Sequence, residues 1–285
     1  MCPDNAPTSE AIKITTVMAA YNCSSTISRA IESFASQSYA KKELIIVDGG
    51  STDGTVGILE RNADVISHWI SEPDSGILDA WNKGINLASG DWVHFLGADD
   101  YYLGADVFER FAGHLAVNGN RSKILYGDVH LVDHRGTVIE VVGRPWDATF
   151  FRQVGMAFCH QGAFHHRSLF EEFGQFDTSR GGLGTYEFLL RYLKHHDADF
   201  MSELSVAAMG TDGLSNRPEN HLTFQREYRR AQRVHGTARP NWRFTSNLLK
   251  AQVKRLLWRV LPTRLYRPAI NVGRLLLQKP KRYHG

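Results

Sequence analysis

Two adjacent carboxylates, Asp99 and Asp100, follow the apolar segment DWVHFL at residues 91–96 after only Gly97 and Ala98. Like charges this close repel each other and raise each other's pKa unless a positive charge lies beside them. Carboxylates do not bind a phosphate directly, but they bind Mg²⁺ or Mn²⁺, and these ions do bind phosphates. We therefore predict that Asp99 and Asp100 hold Mg²⁺ or Mn²⁺ against the diphosphate of a ligand.

The hydrophobic pattern predicts the elements that position these carboxylates. Apolar, β-branched segments predict strands at 13–20, 43–47, 65–70 and 91–96. Segments with helical periodicity lie between them, at 24–38, 51–62 and 77–88, and the first two begin with Ser and Asp residues that could cap them. This alternation predicts an α/β domain with a parallel sheet covered by helices. Beyond residue 124 the pattern predicts an antiparallel hairpin, a strand near 156–165 and a helix near 184–196.

Polar residues follow each of the first four predicted strands. They are Tyr21 and Asn22, Asp48 and Ser51, Glu72 and Asp74, and Asp99 and Asp100. Ligands of parallel sheets bind outside the carboxyl ends of the strands, so these residues should line one crevice. The loop after the first strand, AAYNCSS, lacks the GxGxxG of dinucleotide-binding folds, and the chain has no GxxxxGK[ST] phosphate loop. The crevice therefore offers carboxylates instead of a glycine-rich phosphate cradle.

Composition and charge divide the chain into a body and a tail. The 285 residues are 42% hydrophobic, and the three cysteines form no CxxC, which favours a reducing compartment over disulfides or zinc. We expect neither a signal peptide nor a membrane-spanning helix. The 18 basic and 30 acidic residues up to Glu227 leave a net charge of −12, whereas the following residues carry 15 basic and no acidic groups. Such asymmetry is typical of a folded body with an interaction tail.

The tail contains an amphipathic segment at residues 247–261. Its apolar stripe is formed by Leu249, Val253, Leu256, Leu257 and Val260, and Lys250, Lys254, Arg255 and Arg259 lie on or beside the opposite face. This pattern predicts a helix that lies in an anionic membrane interface. The alternatives are nucleic-acid binding, which we do not favour, and a helix packed on the acidic body.

Four motifs together carry a family resemblance. They are TTVMAAYN, ELIIVDGGSTDGT, EPDSGILDAWNKGINLASGDWVHFLGADD and HQGAFHHRSLFEEFGQFD. With these motifs the chain resembles family 2 glycosyltransferases of the GT-A fold, most closely the bacterial polysaccharide enzymes of the colanic-acid type. The likeness covers roughly residues 13–215. It implies a mixed, mainly parallel sheet flanked by helices. It also implies inverting, metal-dependent transfer of a sugar from a nucleotide donor to a hydroxyl of a lipid-linked or growing glycan.

The resemblance implies a role for residues of each loop. Ala19 and Tyr21 would border the nucleoside, with Asp48 beneath it, and Asp74, Asp79, Asn82 and Lys83 would line the ribose and diphosphate side. Asp99 and Asp100 stand at the family's DxD element, where Gly97 replaces an acidic residue of many relatives. Gly49 replaces a second Asp that contacts the base, so both UDP and GDP donors stay open. The loop DGLS at 212–215 matches one that can close over the donor.

The general base is the point at which the sequence departs from the family. Relatives have an Asp just ahead of an apolar helix, and here Thr185 of GTYEFLLR occupies that position. Thr is not a base, so Glu187 is the favoured substitute and Asp177 the second choice. The alternative is that the chain is a catalytically weak nucleotide-sugar or glycan-binding partner of a polysaccharide assembly complex.

Several of these residues also have purely structural interpretations. Asp48 and Asp53 could be turn and cap residues, and Asn82 and Lys83 could form a solvated helix face. Glu187 and Arg191 have the i, i+4 spacing of a helix salt bridge. The predicted division is a catalytic domain at 1–236, with a nucleotide half at about 13–104 and an acceptor half at about 105–236, and a basic helical tail at 237–285. The resemblance and the tail together predict an enzyme at the cytoplasmic face of the membrane.

Overall fold

The computed structural model describes residues 11–133, 135–210, 218–262, 265, 268 and 270–273. Within them the strands are β1 (Ile14–Ala20), β2 (Lys42–Asp48), β3 (His68–Ser71), β4 (Trp92–Gly97), β5 (Tyr101–Tyr102), β6 (Ile124–Val132), β7 (Val138–Val142), β8 (Ala163–His166) and β9 (Asp199–Gly210). The helices are α1 (Ile27–Ala35), α2 (Thr55–Arg61), α3 (Ile77–Leu87), α4 (Val107–Asn118), α5 (Ala148–Gln153), α6 (Ser168–Phe173), α7 (Gly184–Leu193), α8 (Pro218–Val234) and α9 (Trp242–Val260).

All the strands among the described residues join one mixed sheet. Its order is β3-β2-β1-β4-β8-β6-β9-β5, and β7 pairs with β6 outside this path. The first four strands are parallel, as the alternating pattern predicts. β8 runs antiparallel between β4 and β6, where His165 is paired with both Val93 and Ile124. β4 and β6 therefore point the same way, and their carboxyl ends lie at the same edge of the sheet.

Helices cover both faces of the sheet, and each face has its own apolar core. One core packs α1, α2 and α4 against the sheet through side chains such as Phe34, Leu59 and Phe108. The other packs α3, α6 and α7 through side chains such as Trp81 and Phe188. The predicted face of the first helix, Ile27, Ala30, Ile31 and Phe34, is buried as expected. The α/β class predicted from the sequence is confirmed.

Two element predictions need correction, and a third cannot be compared with the structure. The first helix begins at Ile27, and neither a Ser nor the Thr26 at its N-cap position caps it through a side chain. Ser24 instead donates its backbone N–H to Asp53 (2.9 Å), which fixes the loop to the start of α2. The strand expected near 156–165 begins only at Ala163, because His160–Gly162 forms a 3₁₀ turn. The loop at 212–215 lies outside the described residues.

The basic tail begins with a helix that packs on the body through an unexpected face. Phe244 and Ala251 of α9 are buried, and the Arg229 guanidinium of α8 lies 3.8 Å from the centroid of the Phe244 ring. The predicted apolar stripe instead faces outward: Leu249, Val253, Leu256 and Val260 are 48–69% exposed. The helix therefore packs on the body, as one alternative has it, but through Phe244 and Ala251 and not through the stripe. Among the described helices, none is long and apolar enough to cross a bilayer.

The scaffold below the strands depends on Glu43, a buried carboxylate far from the carboxyl edge. It accepts hydrogen bonds from Thr15, Ser89 and Gly90 and pairs with Lys13 (2.6 Å). Burial alone would raise the pKa of Glu43, but these partners outweigh it and lower the pKa to about 2.

We expect this lowered pKa to make the folded state acid-sensitive. Because the pKa of Glu43 is lower in the folded state than in the unfolded state, its stabilising contribution is fully present above about pH 4.5 and is lost as the pH falls towards 2. Over this range the free energy of unfolding should decrease by about 3 kcal/mol. Glu43→Gln should unfold more easily than wild type at pH 7 and show a flatter decline in acid. Urea unfolding at pH 7 and pH 3 measures both effects. Equal pH dependence of the two proteins would contradict this role.

Candidate functional site

A cleft of about 590 Å³ opens at the carboxyl ends of the first strands. Its lining comes from the end of β1, the loops after β2 and β3, and the start of α3: Ala19, Ala20, Tyr21, Gly49, Pro73, Asp74, Gly76 and Ile77. The Tyr21 side chain is 66% exposed, and a nucleobase could stack on it. A Cβ on Gly49 would lie 2.7 Å from Asp74 Oδ2, so the glycine makes room for that carboxylate. The structure thus brings together Ala19, Tyr21 and Asp74 of the predicted donor site.

Asp48 does not take the predicted place beneath a nucleoside. It is fully buried, and it accepts hydrogen bonds from Gly50 N (3.2 Å), Ser51 N (2.9 Å), the Ser51 hydroxyl and Ser71 Oγ (2.6 Å). These donors occupy both carboxylate oxygens. Asp48 is therefore the residue that shapes the loop after β2, which corrects its assignment to the ligand.

Asp79 and Lys83 lie at the rim of the cleft, on the first two turns of α3. Asp79 Oδ2 accepts a hydrogen bond from Ser75 N (3.0 Å), and Lys83 Nζ pairs with Glu72 Oε1 (2.7 Å). The hydrogen bond to Glu72 raises the pKa of Lys83, so this side chain is a fixed positive charge near the cleft. Their role on the diphosphate side stays a prediction.

Asn82 has a different role from the predicted ones. Its Oδ1 accepts from Phe176 N (3.0 Å) and its Nδ2 donates to Phe176 O (2.9 Å). Both polar atoms of the Asn82 side chain are therefore hydrogen-bonded to the backbone of Phe176. Asn82 clamps the loop before α7 onto α3 and is neither a solvated face nor a free ligand contact.

Asp99 and Asp100 converge at the end of β4. An ideal Cβ on Gly97 would lie 2.5 Å from Asp100 Oδ2 and 2.8 Å from Asp99 Oδ1. Only a glycine leaves both carboxylates this space. Gly97 also pairs with Ala19 on the neighbouring strand, so the two carboxylates adjoin the cleft directly.

Asp100 is the more constrained of the two carboxylates. It is 2% exposed, and its Oδ1 makes no hydrogen bond. Burial, followed by the charge of Asp99, raises the pKa of Asp100 to about 8. Arg29 on α1, which the sequence pattern does not single out, lies near the pair: it donates to the backbone oxygen of Asp99 (2.9 Å) and stacks on Tyr101.

These features fit a divalent cation. The unpartnered buried Oδ1 of Asp100 and the repulsion from Asp99 are both relieved by a positive ion. Among the described residues, no group of three or more His, Cys, Asp or Glu side chains could hold a metal. A site with two carboxylates suits Mg²⁺ or Mn²⁺, which keeps waters and takes substrate phosphates as further ligands.

The two predicted general bases are both engaged elsewhere. Glu187 is 7% exposed; one oxygen accepts from Arg191 Nη2 (2.7 Å) and the other contacts His235 Nε2 (2.8 Å). Burial alone would raise the pKa of Glu187, but these two partners hold it below its ordinary value. The structure therefore contradicts Glu187 as a free base and supports the helix salt bridge.

Asp177 is a turn residue next to the 3₁₀ segment that precedes α7. It accepts hydrogen bonds from Ser179 N (3.1 Å) and Ser179 Oγ (2.6 Å), and it pairs with Arg180 (2.8 Å). The hydrogen bond from Ser179 and the pairing with Arg180 lower the pKa of Asp177. A carboxylate with these partners is a poor proton acceptor at neutral pH.

The chain matches known glycosyltransferases over its first half. The description of the matching family is "Glycosyl transferase family 2", and the match covers residues 15–164, more than half of the chain. The chain therefore belongs to glycosyl transferase family 2. The finer likeness to colanic-acid-type enzymes stays a prediction.

Two sequence relatives illustrate the range of the family. A PGL/p-HBAD biosynthesis glycosyltransferase of Mycobacterium tuberculosis is 33% identical over 174 residues, which cover 60% of this chain and 65% of the relative. A UDP-Glc:alpha-D-GlcNAc-diphosphoundecaprenol beta-1,3-glucosyltransferase of Escherichia coli is 37% identical over 93 residues, 32% of this chain and 36% of the relative. The match thus spans less than two thirds of each relative.

Solved structures share the fold. S. aureus TarS residues 1–349, in complex with UDP-GlcNAc, superposes with a TM-score of 0.60 at 15% identity, covering 85% of this chain and 72% of that one. A mannosyltransferase from Pyrobaculum calidifontis, in complex with GDP-Man and Mn²⁺, superposes with a TM-score of 0.61 at 17% identity. This superposition covers 95% of this chain and 81% of the mannosyltransferase chain. This chain has the mixed α/β GT-A fold of these glycosyltransferases.

We expect Asp100→Asn to stabilise the metal-free protein in a pH-dependent way. The pKa of Asp100 is raised on folding, so its contribution to stability falls as pH increases from about 4 to about 8. The variant should therefore melt at a higher temperature than wild type at pH 8 but not at pH 4. Mn²⁺ should raise the melting temperature of wild type only. Exposed Asp64→Asn is the matched control, and an effect of Asp100→Asn that is equal at both pH values would contradict the assignment.

Proposed function

We propose that this chain transfers a sugar, with inversion, from a nucleotide donor to a hydroxyl of a lipid-linked or growing glycan. One observation carries the proposal: Asp99 and Asp100 converge beside a cleft at the carboxyl edge of a GT-A sheet. Tyr21 would stack on the base, Asp74 would face the ribose, and Lys83 would approach the diphosphate. A divalent ion at Asp99 and Asp100 would stabilise the charge that develops on the departing nucleoside diphosphate.

The donor is a UDP- or GDP-sugar. The proposal draws on the two complexes of the same fold, one with UDP-GlcNAc and one with GDP-Man. In this chain Gly49 and Asp74 together shape the part of the cleft where the base would lie. Asp74 is half-buried and accepts a hydrogen bond from Gly76 N (2.8 Å), which leaves its other oxygen for a ligand hydroxyl.

The acceptor is presented at a membrane, and α9 is the element that meets it. Four outward-facing side chains, Leu249, Val253, Leu256 and Val260, fall on one stripe, and exposed Trp242 lies on the same line at the start of the helix. Lys250 and Arg259 flank the stripe, and no acidic residue follows Glu227. A helix with these features lies in the interface of an anionic bilayer. We place the enzyme at the inner face of the cell membrane.

Donor binding tests the cation claim. In isothermal titration calorimetry with Mn²⁺, wild type should bind at least one of UDP-GlcNAc, UDP-glucose and GDP-mannose. Either EDTA or Asp100→Asn should weaken this binding at least tenfold, whereas Asp64→Asn should leave it unchanged. Affinity that ignores both changes would exclude the metal site. If donor binds but wild type never releases UDP or GDP, the chain is the binding partner of the alternative hypothesis.

Liposome sedimentation tests the membrane face. Each basic residue near an anionic leaflet contributes about 1 kcal/mol, and the apolar stripe adds hydrophobic energy. We expect the intact chain to pellet with vesicles that contain phosphatidylglycerol and to be released in part by high salt. Leu249→Gln with Leu256→Gln should abolish pelleting, whereas the control Val117→Gln, at an exposed apolar residue of α4, should not. Pelleting that persists in the double variant would show that α9 is not the docking element.

A further inference from the structure

The acceptor hydroxyl needs a proton acceptor, and the carboxylates predicted for that role are engaged. Glu187 is bound to Arg191 and His235, and Asp177 to Ser179 and Arg180. Asp128 on β6 differs from both: within the described residues its carboxylate makes no hydrogen bond or ion pair. It lies inside a predicted strand, where an alternating polar residue gives no sequence signal.

The sheet places Asp128 level with the metal-binding end of β4. His165 pairs with Val93 on one side and with Ile124 on the other, so Asp128 lies level with Gly97. Two strand spacings separate them, about 10 Å. This separation accommodates a sugar ring between a diphosphate at Asp99 and Asp100 and a hydroxyl at Asp128.

One short turn links the two positions directly. The backbone oxygen of Gln161, in the turn His160–Gly162, lies 2.9 Å from His94 Nε2 on β4. Cys159 precedes this turn, and its thiol pKa is raised by burial and, to a smaller extent, by the charge of Asp100. At its other end, a Cβ on Gly162 would lie 2.7 Å from the carbonyl oxygen of Gly127, the residue before Asp128. Asp100 and Asp128 therefore flank the same three-residue turn.

Asp128 also lies on the face of the sheet that α3 and α7 cover. Side chains alternate along a strand, and Tyr126, two residues before Asp128, belongs to the core shared with α3 and α7. The first residue of α7, Gly184, touches Leu78 of α3: a Cβ there would lie 2.7 Å from Leu78 Cδ1. Asp128 thus lies on the side of the sheet where α3 borders the cleft and α7 begins.

Local backbone features leave space for the Asp128 side chain. A Cβ on Gly143, at the end of β7, would overlap the Asp128 carboxylate, so the absence of a side chain there is required. On the other side, the pairing with β9 jumps from Phe200, opposite Tyr126, to Ser205, opposite Asp128. Such bulges are frequent beside active sites. Partial burial raises the pKa of Asp128, and the smaller effect of His130 opposes this rise. The raised pKa is closer to the value that suits a general base near neutral pH.

We propose that Asp128 is the general base of the transfer reaction, an inference that rests on the proposed function. An Asp128 oxygen takes the proton of the acceptor hydroxyl as its oxygen bonds to the anomeric carbon of the sugar. The bond from that carbon to the diphosphate oxygen breaks, and its electron pair leaves with the nucleoside diphosphate. Because Asp128 accepts the proton, Thr185 does not have to act as the base in this reaction.

The test uses intact protein, Mn²⁺ and water as the simplest acceptor. Release of UDP or GDP is followed with whichever of UDP-GlcNAc, UDP-glucose and GDP-mannose binds wild type best. Asp128→Asn should lower kcat by roughly 10²–10⁴ and leave the donor Kd within about twofold. The exposed control Glu60→Gln should match wild type, and so should Asp177→Asn, since we assign Asp177 to the turn.

Each outcome separates the inference from the proposed function. Full activity of Asp128→Asn, or loss of activity in Asp177→Asn alone, overturns the role of Asp128 and leaves the glycosyltransferase assignment standing. A parallel loss of donor affinity in Asp128→Asn makes it a donor contact and also overturns the base. If wild type with Mn²⁺ releases no nucleoside diphosphate, both proposals fail. Asp128→Glu covers the case in which the Asn variant does not fold, since it keeps a carboxylate and should retain more activity.

Discussion

The repulsion between Asp99 and Asp100 is the constraint on which the rest of the site depends. Both carboxylates turn towards the single residue, Gly97, at which β4 ends, and Asp100 is buried there with one oxygen unpartnered. Without a cation, the chain meets this constraint by keeping Asp100 protonated, because its pKa is raised to about 8. We propose that a divalent ion takes the place of that proton and supplies the positive charge that a diphosphate needs. On that proposal, the unpartnered Oδ1 of Asp100 and the repulsion from Asp99 are the source of the affinity for a cation.

Carboxylates elsewhere in the protein show what a structural role looks like. Glu43 and Asp48 are buried and receive several hydrogen-bond donors each, and Glu187 lies between Arg191 and His235. Within the described residues, Asp100 Oδ1 and the Asp128 carboxylate have no such partner, and the two residues lie on either side of the His160–Gly162 turn. This difference in partners separates the residues that build the scaffold from those left available for chemistry.

Much of the fold and the location of the crevice could be predicted from the sequence. Buried parallel strands are continuous apolar runs, and the residues after them must meet at one edge, so Tyr21, Asp74, Asp99 and Asp100 were predictable. The hydrophobic pattern of a segment does not predict its contacts with residues far away in the sequence. Asn82 meets Phe176, 94 positions away, and Glu187 meets His235, 48 positions away. The apolar stripe of α9 was predictable for the same reason as the strands, but the face that packs on α8 was not, because it depends on Arg229 and Phe244 meeting in space.

The central claim is that Asp99 and Asp100 hold a divalent cation against a nucleotide-sugar diphosphate. The most direct measurement is anomalous diffraction from crystals of the intact chain grown with Mn²⁺ and UDP or GDP. We expect a manganese peak within coordination distance of a carboxylate oxygen of Asp100, with the diphosphate completing the coordination and the base next to Tyr21. A nucleotide bound in the cleft with no manganese at these two carboxylates, or manganese bound at a different part of the chain, would contradict it.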